Sequence, residues 1–306
     1  MLDGVLFFPV TPFAPDGALD PQTLDAHVRA GVEAGAGAVF AACGTGEFHA
    51  LSPREHTDVV RTAVEAVNGA VPVYAGVGGA LPMAVDLAVT ARENGADGLL
   101  LLPPYLVNAD QDGLVRYVRE VAEAAGLPLI VYNRANARFG PRAAVEVAAI
   151  DHVVGFKDGV GDIETLARTV VAIRASLRDS AKPFQFFNGL PTAEVTVPAY
   201  RAIGVPLYSS AVFCFAPEIS LAFHQAVTTG DDKRADALLA GFFHPLVALR
   251  DKVPGYAVSL VKAGVRLRGL DVGPVRAPLT EPTREDLDEL ASLLERGLEL
   301  ARSTSA

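Results

Sequence analysis

The chain has no tryptophan, two cysteines, two methionines and only five lysines in 306 residues. Cys43 and Cys214 cannot form a disulfide framework, and no paired-cysteine zinc spacing occurs. A reducing cytoplasm is the expected setting. Positive charge is scarce: 26 Lys and Arg against 36 Asp and Glu leave a formal charge of −10. No basic stripe is present, so a nucleic-acid partner is not expected. The apolar runs 71–77 and 95–103 are far too short to span a bilayer, so neither is a membrane segment. The start Met1-Leu2-Asp3-Gly4 lacks the basic opening of a signal peptide. His49, His56, His224 and His244 have no metal-ligand spacing, and no metal or cofactor is expected. The Gly-x-Ser-x-Gly elbow of serine hydrolases is absent. No dinucleotide fingerprint follows the first strand, and Gly76-Val77-Gly78-Gly79 reads as a loop.

Apolar residues, by contrast, make up 50% of the chain, enough for a large core. Eight short apolar runs read as strands: 5–10, 37–42, 71–76, 98–102, 127–132, 153–157, 184–187 and 206–209. Most are continuously apolar, as expected of parallel strands buried on both faces. Helical patterns lie between them. Ser52-Pro53-Arg54-Glu55 is a capping box, Asp20-Pro21 starts a helix, and Gly35, Gly69, Gly95 and Gly126 stand where helices should stop.

Eight such units predict an α/β fold, the (β/α)8 or TIM barrel, over residues 1–230. An open doubly wound sheet is the alternative, but it usually has fewer strands. Residues 231–306 predict a C-terminal helical extension packed on the barrel. Helical spacing runs over 231–248, 255–265 and 283–299, with a turn at 275–282 and a frayed end at 303–306.

In such a barrel the active site lies at the C-terminal strand ends. Strand six ends in Lys157. Burial lowers the pKa of an ammonium, and a neutral amine can attack a ketone to form a Schiff base. The alternative is a lysine snorkelling at the rim. Strand five ends in Tyr132-Asn133-Arg134, beside it in the barrel. Tyr132 suits proton relay if not simply a core aromatic, and Asn133 and Arg134 offer donors. Gly44, Thr45 and Gly46 after strand two form a loop able to cradle a carboxylate or phosphate, or simply a capped glycine-rich turn. Tyr105 follows two prolines after strand four and suits a proton relay or a subunit contact. Asn188 and Gly189 end strand seven, and Ser209 and Ser210 end strand eight; all four are candidates for binding substrate oxygens.

Taken together, Gly44-Thr45-Gly46-Glu47, Tyr132-Asn133 and Gly155-Phe156-Lys157-Asp158-Gly159 resemble the dihydrodipicolinate synthase and N-acetylneuraminate lyase superfamily. Within it, Ala42 to Phe48, Tyr132 to Asn136 and Phe187-Asn188-Gly189 look most like the 5-dehydro-4-deoxyglucarate dehydratase family. The resemblance implies a lysine imine on Lys157, proton shuttling by Tyr132, and a 2-oxo acid carboxylate held by Thr45 and nearby N–H groups. It matches Tyr105 to a tyrosine that reaches a neighbouring subunit's site, and implies a homodimer or homotetramer. The implied substrate is a small sugar diacid, dehydrated and decarboxylated without a cofactor. Two departures stand out. Gly44 replaces a common Thr or Ser of the relay, and Arg134 and Asn136 replace Val and Ser. Another aldolase or synthase of the superfamily, or a non-catalytic sugar-acid-binding barrel, remains the alternative.

Overall fold

The computed structural model describes residues 1–303 and contains a closed parallel barrel in the order β1 to β8, with β8 pairing back onto β1. The strands are β1 (Leu6–Phe7), β2 (Ala38–Ala41), β3 (Val73–Val77), β4 (Gly98–Leu101), β5 (Leu129–Asn133), β6 (Val153–Asp158), β7 (Gln185–Asn188) and β8 (Leu207–Ser210). Helices α1 (Pro21–Glu33), α2 (Pro53–Val67), α3 (Leu81–Glu93), α4 (Gln111–Ala125), α5 (Pro141–Ala149), α6 (Ile163–Ser176), α7 (Val197–Ala202) and α8 (Pro217–Thr229) follow them in turn. Four more helices come after the barrel: α9 (Asp232–Leu238), α10 (His244–Arg250), α11 (Tyr256–Leu267) and α12 (Arg284–Arg302). Of the end expected to fray, residues 304–306 lie outside the described residues. No described helix is long and apolar enough to cross a membrane.

All eight expected strands are present. The largest difference is β1, predicted over 5–10 but paired only at Leu6–Phe7. Pro9 has no N–H to donate, so the ladder stops before it. The capping box forms as predicted: the Ser52 hydroxyl accepts from Glu55 N–H, and the Glu55 carboxylate accepts from Ser52 N–H. Such a cap contributes about 1 kcal/mol. The single helix predicted over 231–248 is instead α9, a π-helical turn at Leu239–Phe243, and α10. Pro245 offers no N–H to the carbonyl four residues before it, and the ladder is interrupted just ahead of it.

Strand alternation sorts the core into two layers. Leu6, Phe8, Ala38, Phe40, Tyr74, Leu100, Ile130, Tyr132 and Phe187 form one cluster inside the barrel. Phe7, Val39, Ala41, Leu99, Leu101, Leu129, Val131, Phe156 and Phe186 belong to the cluster between strands and helices. Since Phe156 faces the helices, Lys157 faces inward. The register places Tyr132 opposite Lys157, and Lys157 opposite Phe187.

Candidate active site

Lys157 is 5% exposed on an inner face otherwise built from apolar side chains. Its Nζ stands 4.0 Å from the centroid of the Phe8 ring and 4.7 Å from that of Tyr132. These ring faces attract a cation but do not replace lost hydration. Burial therefore pushes the amine down to about 7. Cys43 lies near enough to oppose this as a thiolate, but its own burial pushes the thiol up to about 12. At neutral pH it stays protonated and supplies no counter-charge. The Arg134 guanidinium also disfavours the ammonium. A neutral amine is therefore within reach near neutral pH.

A measurable consequence follows for any reaction in which this amine is the nucleophile. The amine must lose its proton before it attacks, so the acidic limb of kcat/KM reports its pKa in the free protein. The limb is expected to bend near pH 7, with kcat/KM falling about tenfold per pH unit below it. A profile still rising steeply at pH 9 would mean the amine keeps an ordinary lysine pKa.

Tyr132 is the second element. Its hydroxyl donates to the Gly189 carbonyl at 2.5 Å and accepts from Arg134 Nη1 at 2.8 Å. Burial raises its pKa, and the Arg134 charge opposes that rise. The phenol thus has one partner that holds its proton in place and one that stabilises the phenolate. Gly189 must be a glycine here. A Cβ at this position would lie 2.6 Å from Lys157 Cε and 2.7 Å from the Tyr132 ring.

Thr45 and Gly44 form the opposite wall. The turn carrying them is closed by Glu47 N–H to the Gly44 carbonyl at 3.2 Å and Phe48 N–H to the Cys43 carbonyl at 3.1 Å. Among the described residues, none accepts from the N–H groups of Gly44 and Thr45. Ser209 also lines the cavity, with its hydroxyl only 3.5 Å from the Asn188 carbonyl. Tyr105 stands at the rim, 72% exposed, beside exposed Leu106 and Val107.

Four of the expected binding residues lie off the cavity wall, and strand alternation explains three of them. Asn133, Asn188 and Ser210 each follow or precede an inward residue by one position, so they face the helices. Asn133 donates to Asp158 Oδ1 at 2.6 Å and accepts from Phe139 N–H. Asn188 donates to the Ala193 carbonyl and the Thr196 hydroxyl, and accepts from Leu190 N–H. The Ser210 hydroxyl is bound to Glu194 and Ser220. Gly46 is buried behind the turn, with its carbonyl taken by the Thr11 hydroxyl at 2.6 Å. The Asn133, Asn188 and Ser210 side chains and the Gly46 carbonyl are thus used inside the fold rather than at the cavity wall.

The site also contains residues that sequence reasoning passed over. Phe8 forms the floor under Lys157. Arg250, from α10, lines the cavity and donates from Nη1 to the Pro191 carbonyl at 2.8 Å and the Thr192 hydroxyl at 3.0 Å. Counting strands inward from the predicted lysine would have found Phe8. Nothing local marks Arg250, which reaches the site from 58 residues beyond Thr192.

The cavity holds about 1050 Å³. Its described lining includes Lys157, Arg134 and Arg250 but no Asp or Glu, while the Arg250 guanidinium is paired with Asp251 at 2.8 Å. In a chain of net charge −10 this is a local reversal of sign. It favours an anionic ligand, because the Arg134 guanidinium in a low-dielectric cleft acts more strongly than the dispersed surface charge. A near-neutral amine, an adjacent phenol and a cationic wall together suit carbonyl condensation followed by proton transfer next to the new imine.

Comparison with known proteins gives concordant matches. The model of the dihydrodipicolinate synthetase family matches residues 1–297. A relative from Streptomyces coelicolor, described as a probable 5-dehydro-4-deoxyglucarate dehydratase 1, is 59% identical over 96% of this chain and 92% of its own length. A relative from Streptomyces avermitilis with the same description is 58% identical over 97% of this chain and 94% of its own. Among solved structures, dihydrodipicolinate synthase from Oceanobacillus iheyensis superposes with a TM-score of 0.87 at 27% identity, covering 95% of each chain.

Proposed function

This chain belongs to the dihydrodipicolinate synthetase family, and from that premise we propose that it is a decarboxylating 5-dehydro-4-deoxyglucarate dehydratase working through an imine on Lys157. The observation that carries this reading is the buried amine of Lys157, 4.7 Å from the centroid of the Tyr132 ring, in a cavity whose described lining holds no Asp or Glu. The names of the Streptomyces relatives supply the substrate.

The chemistry runs as follows. Lys157 Nζ attacks the 2-oxo carbon and water leaves, giving an iminium. The iminium draws electrons from the neighbouring methylene and acidifies it. Tyr132, as phenolate or through a water, takes that proton. The enamine so formed expels the next hydroxyl as water, leaving a carbon–carbon double bond conjugated with the iminium. The bond to the distal carboxylate then breaks. Its electron pair flows through the conjugated system to nitrogen, and carbon dioxide departs. Reprotonation, tautomerisation of the enol to an aldehyde and hydrolysis of the imine release 2,5-dioxopentanoate and free Lys157. The protonated imine is the electron sink throughout.

Gly44 and Thr45 suit the 2-oxo acid carboxylate, with unused N–H groups and a hydroxyl at the cavity wall. Arg134 has a second use beside any substrate contact. Its charge stabilises the Tyr132 phenolate, which suits a chain whose relay position at Gly44 carries no hydroxyl. The exposed apolar loop Tyr105-Leu106-Val107 fits contact with a second copy of the chain in a homodimer or a tetramer of dimers. The two buried free thiols suit a reducing, cytoplasmic setting.

The test is direct. Purified protein supplied with 5-dehydro-4-deoxyglucarate should release one carbon dioxide for each 2,5-dioxopentanoate formed. Release of pyruvate in its place would make the chain an aldolase. Neither product, with no adduct after borohydride, would make it a binding barrel.

A further inference from the structure

Glu47 ends the loop after β2, yet it does not line the cavity. Its side chain is fully buried and so is that of Lys262, on α11 in the C-terminal extension. Glu47 Oε1 accepts from Lys262 Nζ at 2.8 Å, and Oε2 accepts from Arg276 N–H at 2.8 Å. Lys262 also donates to the Pro274 carbonyl at 2.8 Å, and its ammonium lies 4.1 Å from the centroid of the Phe13 ring. The Arg276 guanidinium, 3.9 Å from the same ring, donates to the Ala50 carbonyl at 2.8 Å and is paired with Glu55.

A desolvated ion pair is a poor way to add stability, since an apolar pair of the same volume does as well or better. What it adds is position: each charge tolerates only the place where its partners meet it. The neighbouring turn has need of this. Gly44 has nothing within 4 Å of where a Cβ would stand, so no side-chain packing fixes it. Glu47 itself sits in the left-handed region at φ 56°, a conformation that persists only when its surroundings hold it. The turn is anchored on one side by Thr11 at the Gly46 carbonyl and on the other by Glu47.

We propose that Lys262, acting through Glu47, is a positioning residue that aims the Gly44–Thr45 turn at the carboxylate of a 2-oxo acid. The C-terminal extension is thereby part of substrate recognition. This rests on the Lys157 imine reading, but not on which sugar diacid is turned over.

The test uses pyruvate, the smallest ligand with both the ketone and the carboxylate, and follows its borohydride-dependent inactivation of the full chain. In the double variant Glu47→Gln/Lys262→Met no unpaired charge is left buried. Its half-saturating pyruvate concentration should rise about tenfold or more, while the maximal inactivation rate stays within about threefold of the parent. A folded double variant with parental half-saturation overturns the proposal, as does one that loses the maximal rate alone. If circular dichroism shows the double variant unfolded, Arg276→Met decides. It removes the side-chain ties to Ala50 and Glu55 but keeps the main-chain N–H on Glu47. A smaller rise in the same direction supports the proposal, and an unchanged value overturns it. Parent protein that traps no pyruvate overturns both this proposal and the imine itself, whereas trapping without carbon dioxide release from the sugar diacid overturns only the dehydratase assignment.

Discussion

Replacing Lys157 with alanine is expected to lower turnover on the order of 10⁵-fold or more, because a positioned amine is exchanged for whatever nucleophile water can supply. Other groups in the described site do not offer a substitute. Cys43 is a protonated thiol at neutral pH, held there by burial, and Arg134 and Arg250 offer guanidinium N–H donors rather than a nucleophilic lone pair. The variant should still fold. The amine stands over the Phe8 and Tyr132 rings with no carboxylate paired to it, so its charged form is a cost to the native state rather than a support. Two measurements check this: carbon dioxide release from the sugar diacid, and the mass of the peptide carrying residue 157 after borohydride treatment. The parent should gain the mass of the reduced adduct and the variant none. Near-parental turnover in Lys157→Ala would end the imine mechanism.

Tyr132→Phe should have the second largest effect and a different signature. The ring remains to pack 4.7 Å from the Lys157 amine. Only the hydroxyl goes, and with it the bonds to Gly189 and Arg134. The variant should therefore still form the borohydride-trapped adduct. Its turnover should fall about 10²- to 10⁴-fold, the usual contribution of a positioned proton-transfer group. Exchange of the methylene hydrogens with heavy water should slow in parallel. If no adduct could be trapped in the variant, the phenol would serve imine formation itself and not only the carbon acid. Arg134 bears on the same step. Its guanidinium donates to the hydroxyl, so it eases phenolate formation in a pocket whose burial resists it.

The same barrel geometry explains which of the expected residues come together. Strand number and order followed from eight apolar runs and the helix signals between them. Lys157, Tyr132, Thr45, Gly44, Arg134, Gly189 and Ser209 all reach one cavity. Asn133, Asn188 and Ser210 do not, although each adjoins a strand end as the others do. Choosing residues by their place at a strand end treats neighbours alike, whereas a pleated strand sends neighbours to opposite faces. Applying the period of two from Lys157 outward, with Tyr132 and Phe187 beside it, would have assigned Asn133, Asp158 and Asn188 to the helix side. There Asp158 accepts from Asn133, Tyr200 and Gly161 N–H, tying β5 and β6 to the outer layer.

Alone, then, the amino-acid order determined the strands, most helix starts, and the amine and phenol at adjacent strand ends. Those features depend on patterning over a few residues, where local sterics and burial decide. Only the tertiary structure decided what surrounds them. It drew Phe8 under the amine, brought Arg250 to the wall, and joined Glu47 to Lys262 across 215 positions of chain. Contacts of that kind arise from barrel closure and from where the final helices dock, and no short window of residues encodes either.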